Sequence, residues 1–332
     1  MKTLLAAVLL SAVFSCSAAQ TDEVSALLRR GGDYLEKGDY DRALADYDKA
    51  TQLDPRSAHA YNGRGNAYAR KGDLDRAIAD FDKATQLNPQ YAGAYYNLGI
   101  AYFHKGDYDR SLAKFNHALR LGPQAADAYN GRGGAYLYKG DLDRAIADFD
   151  EAIQLDPQYT GAYENRGKAY FHKGDFDRAI ADYDRAIQLD PQAADAYNGR
   201  GNAYGNKGDL DRAIADFSRI IQLDPQYADA YNNRGVAYYR KGDFDRALPD
   251  FNRAIQLRPR AEDAYSNRGN AYARKGDFHR AIADHSEAIR LKPDYIRAYK
   301  NRAMAYEAVG ERAKAQADRE KAAELERRGR KP

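Results

Sequence analysis

Apolar and polar positions alternate along the chain in two patterns that follow one another without interruption. In the first, Tyr61, Gly65 and Tyr68 are spaced four and three residues apart, so they share one face of a helix. A Lys-Gly-Asp turn follows, in which Gly72 suits the left-handed position that ends a helix and Asp73 suits the cap that starts the next. In the second pattern Ala77, Phe81 and Ala84 form one stripe, and the stretch stops near Asn88 and Pro89. The pair then recurs: AYNGRGNAYARKGDLDRAIADFDKATQLNP at 60–89 nearly repeats as AYNGRGGAYLYKGDLDRAIADFDEAIQLDP at 128–157. Prolines at 55, 89, 123, 157, 191, 225, 259 and 293 keep a step of 34 residues, and Gly-Asp pairs from Gly38 to Gly276 keep the same step. A fixed period of this length predicts stacked helix pairs, none able to bury its apolar stripe without a neighbour. The glycines at 65, 133, 167, 201 and 235 are expected to face the alanines at 77, 145, 179, 213 and 247.

The recurring Tyr-x3-Gly-x2-Tyr segment, the later Ala, aromatic and Ala, and the closing Pro resemble the tetratricopeptide repeat (TPR) family, with Tyr in place of the family's usual Trp. Nine units begin near 24, 58, 92, 126, 160, 194, 228, 262 and 296 and fill an array spanning 20–329. The resemblance implies an all-α fold, a right-handed superhelix or α-solenoid whose first helices line a concave groove.

Departures from the repeat carry further expectations. Arg30, Arg64, Arg132, Arg166, Arg200, Arg234, Arg268 and Arg302 are each followed 16 residues later by an aspartate, and the unit with Leu98 instead has Lys114. Either the two pair across the helices of a unit, or they are independent surface charges. Tyr91, Tyr159 and Tyr227 alternate with Ala125, Ala193 and Ala261, while Asn97, Asn165 and Asn233 alternate with Gly131 and Gly199. Duplication of a two-unit block accounts for this; alternatively, Gly63, Gly131 and Gly199 open notches along the groove. Pro249 is expected to kink its helix, and Ile220 to widen its packing. Ala303 and Arg319 mark the last unit as a polar cap.

Composition narrows the function. The net charge of +3 arises from 52 basic and 49 acidic residues interleaved at close spacing, the pattern of solvated helix faces rather than of a nucleic-acid binder. Residues 1–19 have one Lys, an apolar run from Leu4 to Phe14 and then small residues, which predicts a secretory signal and an exported, periplasmic or secreted chain beginning at Gln20. Val13-Phe14-Ser15-Cys16 also resembles a lipobox, so the alternative is an outer-membrane lipoprotein or envelope assembly factor anchored through Cys16. No later apolar run is long enough for a membrane helix, and residues 330–332 close the chain as a short basic tail.

Chemistry is sparse. The stretch NGRGNAYGNKGDLDR at 198–212 lacks the preceding strand of a dinucleotide loop and the Gly-Lys-Ser/Thr of a P-loop. No histidine pair, cysteine or Asp-x-Asp pair has metal-ligand spacing, so no metal, cofactor or catalytic residue is expected; Asp209 and Asp211 suit a helix cap and a first-turn acid. What remains is a surface. The resemblance places Asn62, Asn66, Tyr96, Asn97, His104, Asn130, Tyr138, Asn165, Lys168, His172, Asn198, Asn202, Asn206, Asn232, Asn233, Tyr239, Arg240, Asn267, Asn270 and Arg274 along the groove. Asparagine amides can donate to and accept from a peptide backbone at once. The expected function is a non-enzymatic scaffold that binds a protein or peptide segment, with self-association as a further role. Asp127, Asp195, Asp229 and Asp263 would repel a bound carboxylate at the places where some TPR proteins hold one.

Overall fold

The computed structural model describes residues 21–329, so the expected signal at 1–19, Cys16 of the expected lipobox and the expected basic tail at 330–332 lie outside the described residues. Eighteen helices and no strand are present among the described residues. The chain divides into two compact units, one up to Ala169 and one from Tyr170. The first holds α1 (21–36), α2 (Tyr40–Leu53), α3 (Ala58–Arg70), α4 (Leu74–Leu87), α5 (Ala92–His104), α6 (Tyr108–Leu121), α7 (Ala126–Tyr138), α8 (Leu142–Leu155) and most of α9 (Thr160–His172). The second takes the end of α9 and continues through α10 (Phe176–Leu189), α11 (Ala194–Lys207), α12 (Leu210–Leu223), α13 (Ala228–Arg240), α14 (Phe244–Leu257), α15 (Glu262–Arg274), α16 (Phe278–Leu291), α17 (Ile296–Ala308) and α18 (Arg312–Gly329).

Local chemistry sets the helix ends. Gly72 has φ +84°, the left-handed conformation that lets the chain leave α3, and the Asp73 carboxylate then accepts from the Arg76 amide at 3.1 Å to start α4. At the far end of α4, Asn88 Oδ1 accepts from the Gln90 amide at 3.0 Å across Pro89, which closes the pair and turns the chain into α5. The acid that stands two places after most of the aspartate caps has a second role beyond the helix start. Asp41 takes the Lys71 ammonium from the next pair at 2.5 Å, and Asp211 takes Lys241 in the same way. These pairs are solvent-exposed, so each contributes at most about 1 kcal/mol.

The core departs from the expectation that small residues face small. A Cβ built on Gly65 would lie 2.6 Å from the Phe81 ring and 3.2 Å from the Ala77 carbonyl, so the aromatic of the second helix, rather than the alanine side chain, takes the space that the glycine leaves. Gly133, Gly201 and Gly235 meet Phe149, Phe217 and Phe251 likewise. Some rings are gripped from both sides. Phe115 lies under Gly99 of its own pair and Gly131 of the next; Tyr47 lies between Gly31 and Gly63. The notch reading of Gly63, Gly131 and Gly199 is therefore wrong: Tyr47, Phe115 and Tyr183 occupy those spaces, with a built Cβ only 2.3–2.6 Å from the ring.

Pro249 sits inside α14. α14 runs unbroken from Phe244 to Leu257 with the proline exposed on its outer side. Ile220 is fully buried beside Ala213, Phe217 and Ala230. In the last pair Ala303 is buried, and Arg319 turns outward to pair with Glu307.

Candidate functional site

Arginines at the middle of the first helices tie neighbouring helices together. Arg200 Nε and Nη2 donate to both carboxylate oxygens of Asp216 at 2.9 and 2.6 Å, and Nη1 donates to Asp184 in the preceding second helix. The bidentate half recurs at Arg30–Asp46, Arg64–Asp80, Arg132–Asp148, Arg234–Asp250, Arg268–Asp284 and Arg302–Asp318. The pairing read from the 16-residue spacing is thus real, and the arginine also reaches backward by 16. Arg64 reaches Asp48, Arg132 reaches Asn116, Arg234 reaches Ser218 and Arg302 reaches Ser286. Sequence reasoning missed this second arm, although its signal was present: except in the last pair, a short polar side chain stands two places after the paired aspartate. Where Leu98 replaces the arginine it is fully buried, and Lys114 reaches back to Asp82 instead. Burial pushes the Asp216 carboxyl above its ordinary range against the pull of Arg200. The clamp therefore fixes the register of three helices more than it adds net stability.

The asparagines expected to line the groove bond one another. In the first unit Asn62 Oδ1 accepts from Asn97 Nδ2 at 2.9 Å while its own amide donates to the Tyr91 hydroxyl at 3.2 Å. Asn130 does the same with Asn165 and Tyr159. In the second unit Asn198 accepts from Asn233, Asn232 from Asn267, and Asn270 from Asn301. Tyr91, Tyr159 and Asn301 were not among the sequence-derived site residues. The two-unit alternation has a packing meaning here, since a pair carrying tyrosine and asparagine bonds back to the preceding asparagine. The next pair, carrying Ala125 and Gly131, instead closes over the Phe115 ring.

The remaining sequence-derived residues stay accessible. In the first unit Tyr138 is 55% exposed, edge-on to Phe103 at 5.2 Å and stacked on Tyr108 at 5.5 Å. Lys168 Nζ stands 5.1 Å over the Tyr138 ring, and His104 meets Phe103 edge-on. Tyr96 is half-buried against Phe115, and Asn66 is half-buried. In the second unit His172, Asn206, Arg240 and Arg274 are exposed, whereas Asn202 and Tyr239 are half-buried. Tyr239 lies 5.5 Å from Phe244, and the Arg274 guanidinium covers the same Phe244 ring. A cavity of about 180 Å³ opens between α11, α12 and α13, with Asn202, Asn206, Asn233 and Arg240 at its rim and Leu210, Phe217 and Val236 within. Among the described residues no group of three or more His, Cys, Asp or Glu lies together as a metal site would require, and no helix is long and apolar enough to cross a membrane.

The chain covers 75% of itself and 99% of a tetratricopeptide repeat protein from Parabacteroides merdae, with 20% identity and a TM-score of 0.60. It also resembles a chain of the APC/C hetero-tetramer Cut9–Hcn1, at 20% identity and a TM-score of 0.62 over 84% of its own length. It spans only 55% of that second chain. No curated protein sequence matches it significantly. The sequence profile described as tetratricopeptide repeat matches residues 28–92, 73–126, 96–160, 198–262 and 232–296, and a second TPR repeat profile matches 167–208. With more than half of its length matched and every described residue range folded as helix pairs, this chain belongs to the tetratricopeptide repeat family.

Proposed function

We propose that the protein is a non-enzymatic scaffold that holds a protein or peptide segment against the exposed side of its first helices. One observation carries this reading. The buried framework repeats closely from pair to pair, but the exposed residue at the end of the first helices varies among four types: Arg70, His104 and Tyr138 in the first unit, His172, Asn206, Arg240 and Arg274 in the second. A face kept only for solubility needs no such variety, whereas a face that reads a partner does. The asparagine ladder is framework in this reading, and the aromatic, basic and amide side chains beside it supply the contacts.

Peptides selected from a random displayed library test the reading. Tyr138→Ser with Lys168→Glu, or Arg240→Glu with Arg274→Glu, should weaken the selected binders by about tenfold or more. Ala147→Glu and Ala215→Glu, on exposed second-helix faces, should leave them unchanged. The opposite ranking places the working surface on the second helices and refutes the proposal.

Export rests on the composition of residues 1–19. The mass of the mature chain separates a free Gln20 terminus from the alternative of an acylated Cys16 anchoring the chain to an outer membrane; an intact Met1 terminus rejects both.

A further inference from the structure

The cavity between α11, α12 and α13 owes its space to Gly205. The corresponding first-helix position holds Phe103, Leu137, Phe171 and Tyr239 in four other pairs and a smaller methyl, at Ala69 and Ala273, in two more. At Gly205 nothing fills it, and a built Cβ would find only Arg240 Nη1, at an ordinary 3.7 Å. The floor is apolar, from Leu210, Phe217 and Val236. A volume of about 180 Å³ suits one side chain rather than a whole small molecule, since ordinary ligand sites begin near ~300 Å³ and a ~150 Å³ apolar cavity already admits benzene. The rim is amide and cationic. Arg240 Nη1 donates to the Gly205 carbonyl at 2.7 Å, which sets the guanidinium over the mouth. Among the described residues this is the one hydrogen bond of the Arg240 side chain, and no carboxylate is paired with it. Asn206 Nδ2 is turned back to the Asn202 carbonyl, leaving its amide oxygen toward solvent.

The geometry points to a pocket for a leucine-sized aliphatic side chain carried next to a carboxylate. The side chain fills the space that Gly205 leaves, and the carboxylate meets the free edge of the Arg240 guanidinium. This deepens the scaffold reading, on which it rests, by naming the anchor of the bound segment. The carboxylate can come from a chain terminus or from an acidic side chain following the aliphatic residue.

Four probes followed by ligand-observed NMR on the full-length protein test it: N-acetyl-leucine, a blocked dipeptide (the α-amide of N-acetyl-leucyl-aspartate, with its side-chain carboxylate free), N-acetyl-leucinamide and N-acetylglycine. Saturable millimolar binding is expected for one or both of the first two, and weaker binding for the amide and for the glycine compound. Binding of N-acetyl-leucine alone identifies a chain terminus; binding of the blocked dipeptide alone identifies an acidic side chain. Gly205→Leu, which copies Leu137 and so leaves the helix intact, should weaken binding by about tenfold or more. Arg240→Gln should reduce the acidic probes to the level of the amide. No saturable binding of either acidic probe, or equal binding by the Gly205→Leu protein, overturns the proposal. The library selection above reports on the first-helix face as a whole, so the pocket and the scaffold reading can fail separately.

Discussion

At the scale of single residues, the substitutions that break the repeat show what each place is for. His285 stands where other pairs have Phe81, Phe149 or Phe251, and like them it is buried against a glycine, here Gly269. Neither ring nitrogen finds a hydrogen-bond partner among the described residues. Burial, helped by the nearby Arg302 charge, pushes the imidazole down to about 4. The unfolded chain therefore binds more protons than the folded one between about pH 4 and the ordinary histidine value near 6.5. The stability tied to this residue is present above pH 6.5 and is lost as pH falls toward 4. Lowering the pH from 7 to 5 should cost the protein about 2 kcal/mol through His285, a loss that His285→Phe abolishes. Denaturant titrations at the two pH values check this, and equal pH slopes for the two proteins contradict it. In the sequence this histidine reads as a solvated or groove-lining side chain, which its burial corrects; only its register with the rings at 81, 149 and 251 was legible. Its lack of a partner was not, because that depends on the side chains of three helices that meet only after folding.

At the scale of the helix and its neighbours, the period settled nearly everything about where helices start and stop. Capping, turning and the closing proline are local chemistry, and each repeat states them again. The groove was read less well for a physical reason. An asparagine amide is as good a partner for another amide one pair away as for a bound peptide, and nothing within one repeat distinguishes the two. Only the distance from Asn62 to Asn97, one period plus one residue, carried the signal, and the alternation reads as duplication or as glycine notches. The glycine notches failed for a related reason: an empty place on one helix says nothing about the ring on the next. Gly199 makes the point testable. A Cβ there would lie 2.3 Å from the Tyr183 ring, and that ring is itself buried. Gly199→Ala gains helix propensity of roughly 1 kcal/mol, yet overpacking of this kind costs about 1–3 kcal/mol. The net expectation is destabilisation by about 1 kcal/mol, relieved when Tyr183→Leu is added. A stabilised Gly199→Ala protein, measured by denaturant midpoint, would show that the ring yields without cost.

At the scale of the whole molecule, stability is a chain of nearest-neighbour interfaces, and among the described residues the last pair packs on a neighbouring pair on one side alone. Its sequence suits that place. Arg319 replaces the ring that would look for a glycine on a following helix, and it pairs with Glu307 at the surface. Ala303 fills by its own methyl part of the space that the missing ring would take. Lys300–Glu326 and Arg328–Glu324 keep the outer side of the pair charged. Behind this pair α16 buries Ala281, His285 and Ala288 completely. A chain ending at Lys292 would leave that side uncovered, with no polar residues to replace the cover. If the loss equals the burial of a single large side chain, about 2 kcal/mol, the melting midpoint should fall by roughly 3–4 °C. The uncovered face should also make the truncated chain associate, since it offers a second copy the surface that α17 formerly covered. Thermal melts with light scattering at several protein concentrations decide the matter. A truncated protein that stays monomeric with an unchanged midpoint would mean that the last pair covers nothing α16 needs, and that the polar face of α18 has a purpose other than closing the array.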